Sequence, residues 1–166
     1  NYNLDKAEED KLHFYGFDMQ STDEEYFWIN DYLIRVNPEL QTQINDLIEN
    51  FVNRANFNSY PTFSPSIQQA YRQDLEKAKQ LFEVEEPNLV AQSSQREYDL
   101  IHHAFEVLLQ AEDNFDRTSG NDRDYYMARN SEWIRSYLGN EPKVALWAHN
   151  AHVSKDDAWL SFAQGK

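Results

Sequence analysis

Apolar side chains recur at spacings of three and four residues along most of this 166-residue chain. That period matches the α-helix, in which it places the apolar residues on one face. The three clearest stripes are Leu40, Ile44, Leu47, Ile48, Phe51 and Ala55; then Ile67, Tyr71, Leu75, Ala78 and Phe82; then Tyr98, Ile101, Phe105, Leu108 and Phe115. Glycine occurs only four times, which is too few for the many turns of an all-β fold. The sequence therefore predicts a mostly helical protein.

Residues that start and stop helices lie between these stripes. Ser21 and Glu24 have the spacing of a capping box, in which each side chain accepts a backbone N–H of the other residue. Asn37 and Ser64 each precede a proline, which suits the first helical position because no N–H is needed there. Gly139 follows the last helical segment and is expected to end that helix.

Two short apolar runs flank the helical region of about residues 22–139. Residues 11–17 and 143–148 have the length and apolarity of buried strands, and a helical crossover would let them pair in parallel. Two strands alone make a poor sheet. We therefore expect one domain over residues 1–166, mostly α with a small parallel β component, that is an excerpt of a larger α/β protein. Within it, one long helix is predicted over about residues 88–115.

The excess of acidic residues indicates which kinds of molecule the protein does not bind. The chain has 15 Lys and Arg against 29 Asp and Glu, so its formal net charge is −14. Such a surface repels phosphate backbones, and we therefore expect no nucleic-acid partner. Cysteine is absent, which removes disulfides and thiolate catalysis, and no apolar run approaches the roughly 20 residues of a membrane span. The expectation is a cytoplasmic protein that does not enter membranes, with its oligomeric state left open.

Two histidines stand where chemistry is common in α/β proteins. His149 and His152 directly follow the second predicted strand, and the carboxyl ends of parallel strands open into the crevice where such proteins bind ligands. A neutral imidazole can accept a proton, donate one or bind a metal near pH 7. The spacing of three residues is not specific, so a pair of hydrogen-bonded structural histidines stays an equal alternative.

Three further polar residues are candidates for the same crevice. Asp18 ends the first predicted strand and would emerge beside His149 if the two strands are parallel. Arg123 and Asn130 share a helix face with Met127, where a polar side chain needs a partner. A turn aspartate and an ordinary salt bridge on a helix edge are the structural alternatives.

Three segments together resemble the erythromycin esterase family. They are "FYGFDMQ" at residues 14–20, "RDYYMARNSEW" at 123–133 and "LWAHNAHV" at 146–153, in the family's order. The family comprises bacterial hydrolases and hydrolase-like proteins, and its known activity opens the macrolactone ring of erythromycin-type antibiotics, which gives macrolide resistance. Some relatives carry names linked to succinoglycan biosynthesis. By this resemblance the fold is α/β with helical additions, and His149 and His152 match the paired histidines of the family's active-site cleft.

The resemblance implies hydrolysis of a small-molecule ester or lactone by an activated water molecule. His149 and His152 are the candidate catalytic residues, and Asp18, Arg123 and Asn130 are the candidate substrate-binding residues. No metal or cofactor is required. The family's proposed general base lies in a glycine-glutamate-histidine motif that this sequence does not contain, so we expect the chain to be an excerpt that is inactive alone. The alternative is a non-catalytic helical binding module whose histidines are structural.

Overall fold

The computed structural model describes residues 2–7, 10–116, 123–139, 142–149 and 152, and these residues form six α-helices and no strand. The helices are α1 (Asp23–Val36), α2 (Pro38–Arg54), α3 (Pro65–Val84), α4 (Glu86–Gln92), α5 (Gln95–Asp116) and α6 (Arg123–Leu138), with a short 3₁₀ helix at Tyr60–Thr62. The prediction of a mostly helical protein is confirmed. None of the helices described is long and apolar enough to cross a membrane.

The chain divides into two compact units. The helical unit is Asp18–Tyr126, and the terminal unit joins Asn1–Phe17 to Met127–Lys166. Helix α6 begins in the helical unit and continues into the terminal unit. Each unit is described below by itself.

The core of the helical unit is built from the apolar stripes. Helix α1 packs on α2 and α5, and α3 packs on the same two helices. The side chains that are at most 1% exposed come from all four of these helices: Ile29, Tyr32 and Leu33; Ile44, Ile48 and Phe51; Leu75, Ala78 and Phe82; Phe105, Leu108, Ala111 and Phe115. Ile67, at the start of its stripe, is 38% exposed. The spacing of apolar residues thus predicted the buried faces correctly, apart from that helix start.

The helix starts agree with the capping predictions only in part. Oδ1 of Asn37 accepts the N–H of Leu40 at 3.1 Å, as the sequence predicts for the start of α2. Ser64 precedes α3, but its side chain makes no capping hydrogen bond. The capping box at Ser21 is wrong, because α1 begins after Thr22. Thr22 has ψ of −2°, rather than the extended conformation from which a capping side chain reaches the first turn.

The predicted helix over about residues 88–115 is two helices. Helix α4 ends at Gln92 and α5 begins at Gln95. Oγ of Ser94 accepts the N–H of Glu97 at 3.1 Å, which caps α5 from within an otherwise helical pattern. The signal was present in the sequence, since Ser94 and Glu97 have capping-box spacing.

The structure corrects the prediction of two strands in the terminal unit. Residues 11–17 and 143–148 adopt no regular secondary structure. Phe14 and Trp147 are each 94% exposed rather than buried. A strand satisfies its backbone N–H and C=O groups only through a neighbouring strand, and a two-stranded pair is marginal in water. The predicted parallel pair is therefore not shown in the residues described.

Helix α6 ends as predicted. Gly139 follows Leu138 with a φ of 66°, the left-handed conformation typical of a helix C-terminus. Its N–H donates to the carbonyl oxygen of Ser136 at 3.2 Å. A Cβ added there would meet nothing within 4 Å, so the positive φ alone favours glycine at this position.

Candidate functional site

Asp18 and Arg123 form a bidentate ion pair in the helical unit. Nε of Arg123 donates to Oδ1 of Asp18 at 2.8 Å, and Nη2 donates to Oδ2 at 2.6 Å. Oδ1 also accepts the N–H of Met19 at 2.8 Å. The side chains of Asp18 and Arg123 are 39% and 28% exposed. Two parallel hydrogen bonds fix the plane of the guanidinium as well as its position, so Arg123 is held in one orientation at the start of α6.

The ion pair also shifts the protonation of both partners. Partial burial alone would raise the pKa of Asp18, but the hydrogen bond and charge of Arg123, together with the amides of Met19 and Gln20, lower it below its ordinary value. The hydrogen bond from Asp18 raises the pKa of Arg123 further against the opposing effect of burial. Both groups are therefore ionised at neutral pH, and the site keeps a fixed positive charge beside a fixed negative one.

Asn130 lies in the terminal unit and is 1% exposed. Its Nδ2 donates to the carbonyl oxygen of Phe17 at 3.2 Å. The expectation that a polar residue on this helix face needs a protein partner is confirmed for Asn130, as it is for Arg123. The amide of Asn130 supports the main chain of the "FYGFDMQ" segment, and its role in substrate binding stays a prediction.

His149 and His152 also belong to the terminal unit. His149 is exposed and His152 is half-buried. The N–H of His152 donates to the carbonyl oxygen of His149 at 2.9 Å, so the two residues share one turn of the chain. Residues 150 and 151 between them, and residues 153–166 after them, lie outside the described part of the structure. The catalytic role of these histidines, and their predicted closeness to Asp18, stay predictions.

Glu25 is a candidate site residue that the sequence motifs did not indicate. It lies in the first turn of α1 and is half-buried, and its Oε2 is shielded from solvent without a hydrogen-bond partner. Burial, reinforced by the charges of Glu24, Asp23 and Asp18, raises the pKa of Glu25 to about 7, against the lowering effect of its own backbone N–H. The available signal was position: Glu25 stands four residues before the buried Ile29 and so falls on the apolar stripe of α1.

Other titratable groups have structural partners. Nε2 of His102 lies 2.8 Å from a carboxylate oxygen of Glu83, and its ring stacks on Tyr98 with centroids 6.0 Å apart. Within the ranges that the structure describes, no group of three or more His, Asp or Glu side chains could hold a metal ion.

The chain matches a known protein family. The model of the erythromycin esterase family matches residues 1–165, nearly the whole chain. No curated protein sequence and no solved structure matches the chain.

Proposed function

The chain belongs to the erythromycin esterase family, and from that premise we propose that the protein hydrolyses an ester or lactone bond of a small molecule with an activated water. One observation supports this most. Asp18 of the "FYGFDMQ" segment and Arg123 of the "RDYYMARNSEW" segment are paired through two hydrogen bonds although they lie 105 residues apart. Residues from two family-like segments thus form one charged group that is partly open to solvent.

The chemistry of ester hydrolysis gives Arg123 a clear task. Attack of water on the carbonyl carbon places negative charge on the carbonyl oxygen, and a fixed positive group stabilises that charge. Asp18 keeps the guanidinium in one orientation, which avoids the cost of arranging it during the reaction. In the proposal, Asp18 and Arg123 bind the substrate, and Asn130 supports the main chain at Phe17.

His149 and His152 bind the substrate or the transition state in this proposal. An imidazole N–H can donate a hydrogen bond to the developing oxyanion. One turn holds both backbones, with the N–H of His152 bonded to the carbonyl of His149 at 2.9 Å. The proposal requires no metal and no cofactor. Its substrates are small-molecule esters and lactones, the class to which macrolides belong.

A non-catalytic binding module is the second candidate. The observation that favours it is the hydrogen bond from Nδ2 of the buried Asn130 to the carbonyl oxygen of Phe17, since this contact stabilises the fold without any chemistry. In that case His149 and His152 stabilise the fold, and their replacement lowers stability rather than turnover.

The deciding experiment uses the full-length protein and the variants His149→Ala and His152→Ala. Turnover is measured on a panel of alkyl esters, lactones and erythromycin-type macrolides, and melting temperature is measured on the same samples. Catalytic histidines predict a loss of about 10²–10³-fold in kcat with little change in melting temperature. A clear fall in melting temperature with preserved activity per folded molecule would support the binding module.

A further inference from the structure

Glu25 occupies a position that the fold of the helical unit would normally give to an apolar residue. Ile29 and Leu33 follow it at spacings of four and eight residues on α1, and both are fully buried. The carboxyl group of Glu25 therefore lies at the end of the core face of α1. A polar atom removed from water without a hydrogen bond is unfavourable, so Oε2 of Glu25 needs an explanation.

A second inward-facing glutamate shows how this fold stabilises a carboxylate. Glu112 of α5 is 6% exposed, and it accepts hydrogen bonds from the hydroxyl of Tyr60 and from Nη1 of Arg72, the latter at 3.0 Å. Oε2 of Glu25 has no corresponding partner. The charged groups around Glu25 include Asp23 and Glu24 of its own turn and Asp18.

Glu25 also interacts electrostatically with one residue of the proposed site, Asp18. Asp18, whose charge acts on Glu25, is the carboxylate that holds Arg123 in place. An ionisable group whose pKa is shifted by burial together with a charged neighbour is a candidate member of a functional site. The half-burial of Glu25 leaves part of its side chain open to solvent, which a substrate needs in order to reach it.

We propose that Glu25 is the general acid of the site that contains Asp18 and Arg123, and this rests on the proposed hydrolase function. Water adds to the carbonyl carbon of the ester, and the proton that it loses goes to the general base. When the tetrahedral intermediate collapses, the bond from that carbon to the leaving oxygen breaks. The carboxylic acid of Glu25 gives its proton to that oxygen, so an alcohol leaves rather than an alkoxide. The Glu25 carboxylate then regains the proton that water lost. With a pKa of about 7, about half of the Glu25 carboxyl groups carry this proton at neutral pH, whereas an ordinary glutamate is almost fully ionised.

The test depends on the leaving group. An alkoxide is a poor leaving group and needs the proton, whereas 4-nitrophenolate leaves without one. The full-length protein and its Glu25→Gln and Glu24→Gln variants are therefore compared on an alkyl ester and on the 4-nitrophenyl ester of the same acid. Glu24 is the matched control, because it is the adjacent, exposed carboxylate in the same helical turn.

We expect Glu25→Gln to lower kcat on the alkyl ester by about 10²-fold or more and on the 4-nitrophenyl ester by less than about threefold, with Glu24→Gln near wild type on both. Equal losses on the two esters, or no loss on either, overturn the inference while the hydrolase function stands. A wild-type protein that hydrolyses neither ester overturns the hydrolase function and the inference together.

A second measurement covers the case in which Glu25→Gln fails to fold. The pH profile of wild-type kcat is then decisive. Turnover of the alkyl ester should fall as pH rises through about 7, the pKa of Glu25, while turnover of the 4-nitrophenyl ester should not show that fall. The same profile on both esters would refute the role of Glu25.

Discussion

Two buried tyrosines of the helical unit should differ in how much stability they lose when each is replaced by phenylalanine. Tyr60 and Tyr71 are 0% and 5% exposed, and their ring centroids are 6.4 Å apart. The hydroxyl of Tyr60 donates to the carboxylate of Glu112. The hydroxyl of Tyr71 is buried without a hydrogen-bond partner. Replacing each tyrosine with phenylalanine removes one oxygen and leaves the ring, so packing is nearly constant between the two variants.

The expected change in stability depends on which group loses a hydrogen-bond partner when each hydroxyl is removed. Tyr60→Phe takes a donor away from a carboxylate that is 6% exposed and leaves it with Arg72. Loss of a partner from a buried polar group costs about 1–3 kcal/mol, which lowers the melting temperature by roughly 2–4 °C for each kcal/mol in a chain of this size. Tyr71→Phe removes a polar group that already lacks a partner, so we expect unchanged or slightly raised stability.

Urea denaturation followed by far-ultraviolet circular dichroism measures both variants against wild type. A shift of the midpoint at constant slope reports a change in stability alone. If Tyr71→Phe loses as much as Tyr60→Phe, the hydroxyl of Tyr71 has a partner, such as a buried water, and the reasoning is wrong. If Tyr60→Phe is neutral, the bond to Glu112 contributes nothing.

Three further changes test stability, and the first two have matched controls. Asn37→Ala should cost about 1 kcal/mol in urea denaturation because its side chain caps α2, whereas Ser64→Ala, which removes no cap, should cost little. Gly139→Ala should lower the free energy of unfolding by about 1–2 kcal/mol, because alanine is strained at a left-handed φ. Gly16→Ala should stay within about 0.5 kcal/mol of wild type, because a Cβ added there has open space around it. Because the folded-state pKa of Glu25 is raised from 4.5 to about 7, its contribution to stability is present below pH 4.5 and is lost as pH rises to about 7. Glu25→Gln should therefore remove this fall in the free energy of unfolding between pH 4.5 and about 7, as measured by denaturation at a series of pH values.

Local spacing determined much of the helical architecture. A stripe such as Ile44, Ile48 and Phe51 specifies a helix and its buried face together, because the helical period alone places those residues on one side. The end at Gly139 and the cap at Asn37 are local for the same reason, since each depends on residues within one turn. The family resemblance of three short segments also came from sequence and agrees with the family match over residues 1–165.

The tertiary structure decided which polar groups have partners. Arg123 bonds to Asp18, which is 105 residues away in sequence, and Glu112 accepts a hydrogen bond from Tyr60, which is 52 residues away. Oε2 of Glu25 has no hydrogen-bond partner. No local pattern encodes such contacts, because they depend on how separate helices pack. The two apolar runs at residues 11–17 and 143–148 show the same dependence. A helix bonds its backbone within itself, whereas a strand needs a neighbour that its own sequence cannot supply.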